Sequence, residues 1–238
     1  MEEAFNGSER VGDIVTVFPG AGNLMKAYRI DFCCGGNRTL NEALEEKGID
    51  RTDFLERLNG LYRQARERNI RSVDWRETSS AELIDHIVRT HHAYLREELP
   101  LLSDFVTKIW RVHGDAHPEL EALHDRFHRM KEELERHLAA EEEKLFPLIR
   151  QAERSGTPAD GSEAMKAMDE MEAEHGEVGD LLKEMREITR DYRLPEDACR
   201  TYMLAFRKLE ELEADMFEHI HLENNVLFPK FRSLCASS

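Results

Sequence analysis

At 238 residues, 40% hydrophobic and 34% charged, the chain has ample material for a core and room for one large domain or two. Its formal net charge of −16 leaves no basic stripe to displace counterions from phosphate, which argues against nucleic acid as a partner. No apolar run approaches a membrane span, and Met1-Glu2-Glu3-Ala4-Phe5 lacks the basic start and apolar run of a signal peptide. The expected compartment is therefore the cytoplasm, with the four cysteines as thiols.

Residues 1–75 read as a small helical domain punctuated by Pro19, Gly20, Gly22, Gly35, Gly36, Gly48 and Gly60. Short helices are predicted near 10–18, 21–29, 39–47 and 50–68, the last from Leu55, Leu58, Leu61 and Tyr62 at helical spacing. Between the second and third lies Asp31-Phe32-Cys33-Cys34-Gly35-Gly36. Adjacent cysteines do not readily bond to each other, so this turn presents Cys33 and Cys34 either as two reactive sulfurs or as small, half-buried apolar residues. Cys199 and Cys235 are isolated.

Residues 76–238 read as a second domain of long amphipathic helices, with no alternating strand pattern. A capping box, Ser79-Ser80-Ala81-Glu82, opens a helix to about 113 with a bend expected at Pro100. A second is predicted over 117–153, a break at Ser155-Gly156-Thr157-Pro158, a third over 161–191 and a fourth over 195–233. Four such helices joined by short turns imply an all-α, up-and-down bundle.

One pattern occurs twice. His137-x-x-x-Glu141 and His219-x-x-x-Glu223 each run on to Leu-Phe-Pro, at residues 145–147 and 227–229. Four residues are about one helical turn, so each histidine and its glutamate share a helix face and can approach one ion. A single copy reads best as ordinary surface charge; two matching copies point to a metal. His91 precedes His137 by 46 residues and His175 precedes His219 by 44, so each half of the bundle offers one further histidine.

A helical wheel at about 100° per residue places Ile84, Ile87 and Leu95 near His91, Met168, Met171 and Leu182 near His175, and Leu212 and Val226 near His219. It places His128 about 180° from His137, His86 about 140° and His92 about 100° from His91, and His221 about 160° from His219. With His124 they read as surface or flanking histidines, and His113 and His117 as turn residues. Phe146 and Phe228 also fall about 180° from the ligand histidines, on a face that the N-terminal domain or the second subunit of a homodimer would cover.

Four imidazoles and two carboxylates are too many for a tetrahedral zinc and too rich in nitrogen for calcium or magnesium. They suit two ions of borderline hardness, iron first and manganese second. Glu133, Glu174 and Asp215 stand where a second shell of acids would balance the charge.

The chain resembles the repair-of-iron-centres family, hemerythrin-like di-iron proteins of bacteria linked to repair of iron–sulfur clusters after nitric oxide or oxidative damage. Asp31-Phe32-Cys33-Cys34-Gly35-Gly36, Asp74-Trp75-Arg76, Ile84-Asp85-His86-Ile87 with His91, Glu172-Ala173-Glu174-His175 and His219-x-x-x-Glu223-Asn224-Asn225-Val226-Leu227-Phe228-Pro229 carry the resemblance over almost the whole chain. It implies an oxo-bridged centre of two irons, with His91, His137, His175 and His219 as terminal ligands and Glu141 and Glu223 as bridges. The implied pairs are His91 with His219 and His137 with His175. No fifth core-facing histidine of the oxygen-carrying hemerythrins is evident.

The resemblance implies donation of labile iron to damaged iron–sulfur proteins, with Cys33 and Cys34 touching the acceptor or holding iron in transit. Two rivals stay open: an enzyme that reduces nitric oxide to nitrous oxide at the paired irons, and a sensor of dioxygen or nitric oxide.

Overall fold

The computed structural model describes residues 4–68, 73–155 and 161–236, the side chains of 161 and 162 excepted. The predicted break at 156–158 lies outside the described residues. Four short helices come first: α1 (Val11–Val17), α2 (Ala21–Ala27), α3 (Leu40–Lys47) and α4 (Arg51–Glu67). Four long ones follow. In α5, Ser80–Ile87 continues through a π-helical turn, Val88–His92, into Ala93–His113. In α6, Glu119–Ala140 continues through the π turn Glu141–Leu145 into Phe146–Ser155. Helix α7 is Gly161–Ile188, and in α8 Arg200–Leu222 continues through the π turn Glu223–Leu227 into Phe228–Ala236. The residues flanking each π turn are right-handed helical, so each run is one unbroken helix. Among the described residues there is no strand, only an isolated bridge between Arg10 and Thr39.

Local chemistry explains the boundaries. The Ser79 hydroxyl accepts from the Glu82 amide at 3.1 Å while the Glu82 carboxylate accepts from the Ser79 amide at 3.0 Å, the reciprocal box read from the sequence. Thr39 and Glu42 form a second box at α3, which ends on Gly48 at φ +63°. Helix α7 stops at Ile188, short of the expected 191, because Arg190, Asp191 and Tyr192 take positive φ of 51°, 62° and 54°, which a right-handed helix does not continue; α8 begins at Arg200 rather than at Leu194-Pro195.

The chain divides into two compact units, one of Met1–Leu83 with Glu218–Ser237, the other of Ile84–Phe217. The first has a core that includes Phe32, Leu40, Leu44, Phe54, Leu58, Phe228 and Phe231. Buried Asn59 holds the chain at Phe5, accepting from the Phe5 amide and donating to its carbonyl. The end of α8 belongs to this core, which is why Phe228 is buried.

The second unit is a helical bundle whose cross-links show antiparallel neighbours. Between α5 and α6, Arg96 reaches Glu142 while Thr107 meets His128. Between α6 and α7, His137 meets Glu174 and Arg126 meets Glu184. Between α5 and α8, His91 meets Asp215 and Glu98 meets Lys208. In each pair one number rises as the other falls, as in an up-and-down bundle. Leu95, Leu99, Leu102, Val106, Leu123, Phe127, Met130 and Leu182 fill its interior. Among the described residues no helix is long and apolar enough to cross a membrane.

Candidate metal centre

Within the bundle unit, His137 and Glu141 sit one helical turn apart on α6, with Nε2 and Oε1 3.2 Å apart and both side chains buried. From α7, His175 brings its Nε2 to 3.0 Å from His137 Nε2. The predicted face therefore exists, and one donor atom from each of His137, Glu141 and His175 lies within 4.8 Å of the others. Two donors at about 2.1 Å from an ion, on perpendicular axes, stand about 3.0 Å apart. The observed spacings match that geometry without rearrangement.

Across from them, α5 delivers His92 and not His91. His92 Nε2 stands 3.3 Å from Glu141 Oε2, and both side chains are wholly buried. His91 instead pairs through Nδ1 with Asp215 at 2.9 Å and packs edge-on against His86. The reason is the π turn. It inserts one residue into the helix, so a wheel drawn upstream from Ile84 and Ile87 ends on His91, while the face downstream belongs to His92. The signal was present, since Leu99 and Val106 lie about 20° and 40° from His92 on a regular wheel. The same effect at Glu141–Leu145 turns Phe146 inward, where its ring stacks at 5.7 Å on that of His92.

Carboxylates hold the outer nitrogens of these imidazoles. His92 Nδ1 meets Glu142 at 2.6 Å and His137 Nδ1 meets Glu174 at 2.7 Å. An Nδ1–H donated to a carboxylate leaves Nε2 unprotonated and aimed inward, the tautomer a metal requires. Hydrogen bonding from His137 holds Glu174 below the usual carboxylate range against the cost of burial. Burial pushes Glu142 up, but hydrogen bonds from Arg96 and His92 outweigh it and leave the group lowered. Glu133 has another partner, Arg129 at 2.8 Å.

In the other unit, His219 and Glu223 repeat the α6 pattern, with Nε2 and Oε1 3.2 Å apart and both side chains wholly buried. Glu223 opens the third π turn. His221, read from its wheel position as a surface histidine, is buried against Thr16 Oγ1 at 3.3 Å and the Phe32 carbonyl at 3.4 Å. Burial pulls its pKa down to about 4, the Phe32 carbonyl opposing, so it is neutral. Phe228, seven residues on and on the same face, was the sequence sign that this end of α8 is buried all round.

Cys33 and Cys34 stand in the turn after α2, their sulfurs 3.8 Å apart. Asp31 Oδ1 lies 3.2 Å from Cys33 Sγ and accepts from the Cys33 and Gly35 amides. Cys33 is buried, and its contact with Cys34, reinforced by burial, raises its pKa well above the ordinary thiol value. Asp31, Cys33 and Cys34 form a second, smaller group of donor atoms within 4.8 Å of one another.

Comparison with known proteins agrees with this arrangement. Residues 83–231 match the Hemerythrin HHE cation binding domain, and residues 7–62 match ScdA_N, a domain of unknown function (DUF542). The chain is 36% identical to the iron-sulfur cluster repair protein ScdA of Staphylococcus haemolyticus over 93% of its length and 96% of the relative's. It is 38% identical to the iron-sulfur cluster repair protein YtfE of Escherichia coli O157:H7, over 92% and 94%. The chain belongs to the iron–sulfur cluster repair family. Within that family's hemerythrin-like domain, the matched segment contains His92, His137, Glu141, His175, His219 and Glu223. The imidazole and carboxylate donors resolved in each unit have the chemistry of a site for a borderline transition metal.

Proposed function

We propose that the chain repairs iron–sulfur clusters by holding two labile ferrous ions and giving them up to damaged cluster proteins. The observation that carries the reading is the donor set around Glu141. His92 and His137 approach its two oxygens from different helices, and each imidazole is backed by its own carboxylate. A carboxylate flanked on both oxygens is suited to bridge two ions. His92 would then hold one ion and His137 with His175 the other. His219 and Glu223 repeat the spacing of His137 and Glu141 inside the same matched domain and would offer an ion the same imidazole and carboxylate donors.

Iron at such a centre supplies exchangeable ferrous ions, held by neutral imidazole and carboxylate rather than by thiolate. The chain's residues keep it so: Glu142 and Glu174 fix the tautomers, and the apolar walls, Phe146 among them, limit water access. Cys33 and Cys34 serve the acceptor side. Relatives named for cluster repair match at 36–38% identity over more than nine-tenths of the chain, which supports this choice over a carrier of dioxygen.

The test is transfer of isotopically labelled iron from the reduced protein to an apo-cluster protein, followed by recovery of the cluster's absorbance. Delivery predicts transfer that falls sharply in a Cys33→Ala, Cys34→Ala double variant. Formation of nitrous oxide from nitric oxide by the reduced protein, with no iron transferred, would replace delivery by catalysis at the centre.

A further inference from the structure

The π turn Glu223–Leu227 carries two side chains with different tasks. Glu223 lies beside His219, and Asn225, two residues on and therefore on the opposite helix face, belongs to the cysteine turn. Asn225 Nδ2 donates to the Cys33 carbonyl at 2.9 Å and to the Phe32 carbonyl at 3.3 Å. Its Oδ1 occupies space that only glycine leaves open: a Cβ on Gly12 would meet it at 2.4 Å, and a Cβ on Gly36 at 2.5 Å. Those two glycines are themselves joined, Gly12 N–H to Gly36 carbonyl at 2.9 Å. His221, one turn earlier on the same face, adds its contact with the Phe32 carbonyl. The amide is thus seated in a cradle built from α1, the cysteine turn and α8, all within one compact unit.

We propose that Asn225 is a positioning residue that couples occupancy of the metal centre to the posture of Cys33 and Cys34. The inference rests on the reading of Glu223 as a ligand. A π turn is a rare local register that recurs where its side chains have a task. An ion on Glu223 holds it, and Asn225 then keeps the Phe32 and Cys33 carbonyls seated and Cys33 covered. Once the ion leaves, the turn relaxes towards regular helix, Asn225 swings off the carbonyls, and the two thiols open. Release of iron and exposure of the cysteines become one event.

The experiment is timed maleimide labelling of the full-length protein, read peptide by peptide, with exposed Cys199 as internal reference. In iron-loaded protein, Asn225→Ala should label at Cys33 and Cys34 about 5- to 30-fold faster than wild type, the population shift expected from its two lost hydrogen bonds, with iron content unchanged. Gly12→Ala should do the same by pushing the amide out, and should add nothing in the Asn225→Ala background, an outcome that general loosening would not produce. Stripping iron from wild type with a chelator should accelerate labelling by a similar factor and leave Asn225→Ala unaffected. Equal rates in loaded and stripped wild type, at full iron content, would overturn the coupling while the centre stands. Wild-type rates in Asn225→Ala would overturn the clamp. A chain that binds no iron would refute the reading of the centre, and the coupling with it.

Discussion

The choice between two adjacent histidines is the sharpest consequence of the π turn in α5. His91→Leu removes the partner of Asp215, a carboxylate only 19% exposed, but no atom from the donors around Glu141. Leaving such a group without its imidazole costs about 1–3 kcal/mol. For a domain of this size that lowers the melting temperature by roughly 2–4 °C per kcal/mol, so about 2–12 °C in metal-free protein. His92→Leu differs in its effect on metal. In metal-free protein Glu142 keeps Arg96 at 2.7 Å but the wholly buried Glu141 loses its 3.3 Å neighbour, so stability should fall by about 1–3 kcal/mol as in His91→Leu, and here one ion also loses a terminal ligand. Iron content should fall from two towards one per chain. Emission spectrometry on desalted, iron-loaded protein reads the stoichiometry, and calorimetry of the stripped protein reads the stability. Loss of iron in His91→Leu with a full complement in His92→Leu would show that the helix carries no inserted residue, and would refute the assignment.

Glu142→Gln and Glu174→Gln keep the shape but weaken the anchor on each imidazole, and should each reduce iron affinity about 10–100-fold in a chelator competition. Arg186→Met strands Glu213, which is buried and doubly held by that guanidinium, and should cost about 3 kcal/mol in urea without changing iron content. His117 gains a proton-holding partner in Asp197, which raises its pKa above 6.5. A raised base stabilises the fold fully below the unfolded value and loses that contribution as pH rises through the folded one. Its ring resonances should therefore titrate above pH 6.5, and revert towards 6.5 in Asp197→Asn.

Much of this was legible in the sequence, and each exception has a physical cause. The short helices fell within a residue or two of 10–18, 21–29, 39–47 and 50–68, because glycine punctuation and capping residues act locally. The His137, Glu141 and His175 cluster was legible because α6 upstream of Glu141 and α7 at His175 are regular helix, on which a wheel holds. His92 and the inward turn of Phe146 were missed at π turns or just beyond, since a period of 3.6 cannot represent one inserted residue, whereas Phe228 is buried in the unit of the N-terminal segment, one of the two covers expected for its face. His221 was missed for a different reason. Its face is covered by Thr16 and the Phe32 backbone from the N-terminal segment, a contact about two hundred residues away in sequence that no local pattern announces. The end of α7 was overrun because the left-handed run at 190–192 has no glycine to signal it, and the start of α8 was placed too early because Pro195 suits a first helical turn.

The measurement that bears most directly on the account is iron stoichiometry with Mössbauer spectroscopy on protein loaded anaerobically and then oxidised. Two ions per chain in closely similar, magnetically coupled environments are predicted, lost together in Glu141→Leu and retained in His128→Leu. A single uncoupled ion, or equal loss in both variants, would contradict a centre built on Glu141.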